Sequence, residues 1–365
     1  MKIACTQENL QKGLSIVGRI VSRNATLPVL GNVLLKTEAG GLKLVATDLE
    51  VGVSCIVGGK IEEAGEITIP ARLLAEYVSQ LPQEPVTLKI NGKELNVVCS
   101  DTNAQIRGIT ADEFPLLPSF KAVFEVTLPA DQFKEAIEQV VSAVARDESR
   151  PELNGVYLQF SPNKCTLAAT DSFRLAERVI DVTGITEERA VIVPLKTISE
   201  IGRMLDPTDS VIVRLSENQI QCSYKNIEII SRLIEGHYPP YKDILPENLP
   251  TKTVLQREDL INAVRSAGLF SKTAAQDVVV TIDAESNTLQ VKAEANQVGG
   301  HDQKLPAKIS GPSDQVVFNY RYLIEGLQTL TSDQVVLETG GGNSPGQLQN
   351  PDGKNYLYIV MPIKV

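Results

Sequence analysis

Cysteine and histidine are the residues of this 365-residue chain best suited to metal or nucleophilic chemistry, and their spacing supports neither. Cys5, Cys55, Cys99, Cys165 and Cys222 are scattered, odd in number and without a C-x-x-C pair. A thiolate zinc site or a disulfide framework is not expected from that pattern; buried or half-buried free thiols are. His237 and His301 each stand alone, so a metal site or a Ser-His-Asp triad would have to be assembled around one of them without further support. Gly58-Gly59-Lys60 lacks the spacing and the following Ser or Thr of a phosphate-binding loop, and no helix start follows Gly340-Gly341-Gly342. No catalytic residue, metal ligand or cofactor site is assigned. The strongest catalytic rival is a metal-dependent nuclease built on the plentiful carboxylates, which would show itself by binding divalent ions.

The length suits two or three domains rather than one core. No apolar run is long enough to span a membrane, and the chain turns polar too soon after Met1 to form a secretory segment, so a cytoplasmic location is expected. The formal net charge of −10 argues against a protein that grips phosphates by bulk electrostatics.

The elements that must position any site come in three copies. The stretch Ile67–Leu81 recurs as Val191–Leu205 and again as Val316–Leu330 without gaps. Ile69, Val193 and Phe318 align, as do Leu74, Ile198 and Leu323, then Leu81, Leu205 and Leu330. So do Arg72, Lys196 and Arg321, each followed four residues later by Glu76, Glu200 and Glu325. Leu10, Phe133 and Leu260 each open an apolar pattern of helical period, continued by Leu14, Ile137 and Val264. Leu44-Val45-Ala46-Thr47-Asp48 matches Leu167-Ala168-Ala169-Thr170-Asp171, with a more diverged third copy at Val291–Ala295.

Three tandem homologous domains follow, at residues 1–120, 121–248 and 249–365, with proline-rich joints at Pro115 and Pro118 and again at Pro239, Pro240, Pro246 and Pro250. Strict alternation over Val86–Ile90 and Leu289–Ala293 marks strands with one buried face. Each domain is thus an α+β unit, two helices packed on antiparallel sheet. The six predicted helices together carry a small positive formal charge although the chain as a whole is acidic. That is the sign expected of helices facing an anion. Ordinary solvated ion pairs are the plainer reading of each Arg/Lys–Glu pair.

Several stretches in order resemble the bacterial beta sliding clamps across essentially the whole chain. They are Ser22–Asn32, Ala46–Glu50, Leu153-Asn154-Gly155, Ala169–Leu175 and the terminal Tyr358–Val365. The resemblance implies a DNA-clamp fold: a head-to-tail homodimer whose six domains close a ring around duplex DNA and tether the replicative polymerase to it. No catalysis is implied. Loop residues Arg23 and Asn24 match positions where the family touches DNA; Arg72, Lys196 and Arg203 are added as DNA-facing from the helix pattern. The dimer contact would set Ala104 and Ile106 against Leu269 and Phe270, with Ala104 replacing a large aromatic common at that position. A groove for short peptide motifs of the polymerase catalytic subunit, the clamp loader and other clamp-binding proteins is implied at Leu153, Thr170, Ser172, Phe173, Arg174, Leu175, Pro239, Ile244, Val360, Met361, Pro362 and Ile363. Asp243 stands where several relatives carry a basic residue. A ring tolerates an acidic exterior, because topology rather than phosphate affinity holds it on DNA. A repeat-built adaptor that binds proteins but not DNA is the non-enzymatic alternative.

Overall fold

A computed structural model describes residues 1–21, 27–115, 120–147, 149–246, 248–271, 276–295, 299–353 and 355–364. Among these, six α-helices each follow directly on a strand: α1 (Gln7–Val17), α2 (Ala71–Gln80), α3 (Ala130–Val140), α4 (Leu195–Met204), α5 (Arg257–Gly268) and α6 (Tyr320–Gln328). The three aligned stretches of the sequence form α2, α4 and α6 with the strands that precede them. Local signals set the starts: the Thr6 hydroxyl caps α1 by accepting from the Asn9 amide, and the Asn319 side chain accepts from the amides of Arg321 and Tyr322 at α6. All strand pairs among the described residues are antiparallel.

The chain divides into two compact units. The first comprises Met1–Asp131 with Arg203–Leu233. It holds a five-stranded sheet whose outer strand is Thr102–Arg107, and an eight-stranded sheet. In the larger sheet, Val51–Gly58 pairs with Ile227–Arg232, so strands of the first and second repeats share one ladder. Helix α1 packs closely on that sheet because Gly13 has no Cβ; one placed there would lie 2.6 Å from Val57 Cγ2.

The second unit comprises Gln132–Gly202 with Ile234–Val365. It holds a four-stranded sheet bounded by Gly299–Pro306, and a nine-stranded sheet. There Arg174–Asp181 pairs with Tyr356–Val360, splicing the second repeat to the third. Helix α6 lies on this splice: a Cβ at Gly326 would sit 2.4 Å from the Tyr358 ring, so only glycine admits the approach. The five cysteines are free and buried, as their spacing suggested.

Candidate functional site

Several of the expected groove residues meet at the splice in the second unit, where Arg174 pairs with Val360 and Leu175 shares an apolar cluster with Ile359. Thr170, Arg174, Leu175, Val360 and Leu153 are buried. Phe173 is 61% exposed, Ile244 58% and Met361 39%, large apolar side chains that the fold of this unit leaves bare. Ser172 is exposed, and Pro239, Pro362 and Ile363 are half-buried.

A tight turn presents Phe173. The Thr170 hydroxyl donates to the Arg174 carbonyl at 2.6 Å and accepts from the Ser172 amide at 3.1 Å. One Asp171 carboxylate oxygen accepts from the amides of both Phe173 and Arg174 at 3.0 Å. Ser172 adopts φ 76°, a left-handed conformation that this hydrogen bonding holds in place. The strand Tyr356–Val360 then runs on, and the Met361 amide donates to the Phe173 carbonyl at 2.8 Å, bringing the chain's last residues beside the turn.

Beneath the turn, Arg174 is a strut rather than a rim contact. The residue is only 9% exposed. Its guanidinium donates to Asp171 at 2.9 Å and to Tyr358 at 3.4 Å, reaches Glu325 of α6, and lies 4.5 Å from the Tyr322 ring centre. Burial works against its charge, but the Tyr358 hydroxyl, Glu325 and Asp171 more than offset this and raise its pKa. Tyr322 in turn stacks under Phe173, with ring centres 6.5 Å apart. Glu325 therefore does not serve only its neighbour four residues earlier. Of the three aligned pairs, Arg72–Glu76 closes at 2.6 Å, whereas Arg321 lies beside Tyr320.

The proline-rich joint packs against the same sheet. Tyr238 stacks on Tyr157 at 4.9 Å, and Tyr241 meets both rings edge-on at 6.3 Å. Tyr241, Leu175, Ala168 and Ile359 share one apolar cluster, and the Tyr241 hydroxyl donates to Glu177. Burial and then that carboxylate push the Tyr241 phenol well above its usual range, so it stays a neutral donor.

The sequence reading missed Tyr322 and Arg150, whose guanidinium donates to the Ser172 hydroxyl at 2.9 Å. No local motif marks either. The paired tyrosines of the joint were a visible signal. Asp243 is exposed near Ile244. Elsewhere, Arg72, Lys196 and Arg203 are exposed on α2 and α4, while Arg23 and Asn24 lie outside the described residues. Ala104 is half-buried and Ile106 buried in the outer strand Thr102–Arg107. Leu269, at the end of α5, is 72% exposed, and Phe270 stacks on His301 at 6.2 Å. Among the described residues no group of three or more His, Cys, Asp or Glu could hold a metal ion, and no helix is long and apolar enough to cross a membrane.

The N-terminal, central and C-terminal domain families of the DNA polymerase III beta subunit match residues 1–118, 127–240 and 242–364 respectively. This chain belongs to that family. The Beta sliding clamp of Synechocystis sp. is 32% identical over the full length of both chains. Among solved structures, the sliding clamp from Pseudomonas aeruginosa bound to griselimycin is 27% identical with a TM-score of 0.96, and the one from Bartonella birtlesii bound to the same molecule is 28% identical with a TM-score of 0.94. Each covers both chains completely. Membership makes the chain a DNA sliding clamp, a processivity factor for the replicative polymerase and not an enzyme. The fold implied by the resemblance, α+β with tandem clamp domains, is the fold found.

Proposed function

We propose that two copies of the chain close head to tail around duplex DNA, each built of domains at 1–120, 121–248 and 249–365, and act in the cytoplasm. The groove at Phe173, Ile244 and Met361 then takes short apolar-anchored segments of the polymerase catalytic subunit, the clamp loader and other replication and repair proteins. The exposed apolar side chains of Phe173, Ile244 and Met361 carry this reading. Such a surface suits a peptide with leucine or phenylalanine anchors, and the methionine can repack around different ones.

Closure is supported by two of the eight terminal strands of the four sheets among the described residues, Thr102–Arg107 and Gly299–Pro306. Near them lie Ala104 and Ile106 on one side and Leu269 and Phe270 on the other. A heterologous contact between such unlike surfaces closes a ring when the rotation allows. Arg23, Asn24, Arg72, Lys196 and Arg203 would give weak, sequence-independent phosphate contacts that leave sliding easy. The test is negative-stain electron microscopy on material whose mass is twice the 39.6 kDa of one chain. Rings with a hole that admits a duplex are expected. Compact dimers without a hole would overturn encirclement and favour a protein-binding adaptor.

A further inference from the structure

The splice between the first and second repeats is built like the one that carries the groove. The Thr47 hydroxyl donates to the Val51 carbonyl at 3.0 Å and accepts from the Leu49 amide at 3.0 Å. The Asp48 carboxylate accepts from the amides of Glu50 and Val51 at 3.0 and 2.8 Å. Leu49 has φ 79°, matching Ser172. Val51 pairs with Ser231 as Arg174 pairs with Val360, and the Arg232 amide donates to the Glu50 carbonyl at 3.2 Å, as Met361 donates to Phe173. Position for position, Leu49 stands for Ser172, Glu50 for Phe173 and Arg232 for Met361.

This second turn also borders a cavity, of about 320 Å³, lined among others by Leu49, Glu50, Pro115, Gln219, Ile230 and Arg232. Leu49 is 53% exposed and Ile230 is buried, so the cavity has an apolar wall and an apolar base. Its volume lies at the small end of ligand pockets, enough for one or two side chains rather than a cofactor. Its rim carries charge of both signs, since Glu50 and Arg232 are both exposed. Arg232 is exposed and makes no ion pair among the described residues, in a chain whose net charge is −10.

We propose that this cavity is a second peptide-docking site, for a short extended segment with a leucine-sized anchor next to a carboxylate. The anchor enters between Leu49 and Ile230, and the carboxylate meets the Arg232 guanidinium, a planar donor suited to bidentate pairing. The inference rests on the groove reading above, since the equivalence of the two turns is what points to a peptide. It predicts a different sequence preference: acid beside the anchor here, apolar side chains throughout at Phe173 and Met361. A partner carrying both kinds of segment would hold one subunit at two points.

The test uses the full-length protein, labelled at isoleucine δ1 methyls and titrated with two acetylated hexapeptides. One carries leucine–aspartate in a Gly/Ser background, the other leucine–phenylalanine. Ile230 reports on the cavity and Ile244 on the groove. The acidic peptide should shift Ile230 saturably, weaken at least tenfold with Arg232→Glu or when its aspartate becomes lysine, and be indifferent to Phe173→Ala. Unperturbed methyl signals elsewhere would confirm that Arg232→Glu folds. If Ile244 responds to the leucine–phenylalanine peptide but Ile230 responds to neither, the second site is overturned and the groove stands. An Ile230 shift that survives Arg232→Glu would overturn carboxylate recognition. Silence of both methyls toward both peptides would overturn both readings.

Discussion

The turns Thr47–Val51 and Thr170–Arg174 share a backbone and almost nothing above it. In both, a threonine hydroxyl and an aspartate carboxylate satisfy the amides that a left-handed residue would otherwise leave bare. Yet the last position is a buried valine in one and a buried, four-partnered arginine in the other. Polar hydrogen bonding preserves the frame through duplication, and side chains on the frame are free to diverge into different recognition surfaces. The arginine also ties the turn to α6, so Phe173 stands on a braced platform while Leu49 and Glu50 do not.

The largest expected effect tests that bracing. Arg174→Ala leaves Glu325 and Asp171 without their cation and should cost about 3 kcal/mol of stability, whereas Val51→Ala should cost about 1–3 kcal/mol as a simple loss of packing. Urea midpoints measure both. A neutral Arg174→Ala would show that the strut is not structural. Next, Phe173→Ala should weaken a bound polymerase-derived peptide by about 2 kcal/mol, roughly 30-fold, with an unchanged unfolding midpoint. Glu50→Ala should leave that affinity alone, and fluorescence anisotropy reads both. Thr170→Val and Thr47→Val should each destabilise by about 1 kcal/mol, equally, because the lost hydrogen bonds are the same; clearly unequal costs would break the shared-frame argument.

The last comparison concerns pH. Cys165 lies on the second-repeat strand whose first-repeat counterpart places Leu42 at the same position. Burial pushes its thiol from 9.0 up to about 12. A raised folded pKa means the protonated form is favoured in the fold, so its contribution is complete below pH 9 and lost as pH rises toward 12. The unfolding free energy of Cys165→Ala should fall less steeply over that window than that of the parent, whereas Leu42→Ala should lower stability without changing the slope.

Much of this could be read from the sequence, because it depends on neighbours in the chain. Helical periods, alternating strands, the three repeats and the T-D turn are local, and local hydrogen bonds and amphipathic faces decide them. The family-specific runs also assign Phe173, Ile244 and Met361 to one groove. What the sequence could not say is how the copies join. The pairing of Val51–Gly58 with Ile227–Arg232, and of Arg174–Asp181 with Tyr356–Val360, unites residues far apart in sequence, and nothing in either strand alone names its partner. The role of Arg174 was hidden for the same reason: Glu325 and Tyr358 lie 151 and 184 residues away. Only the packing of α6 against Tyr358, which Gly326 permits, brings them within reach and turns a residue assigned to the groove into the strut beneath it.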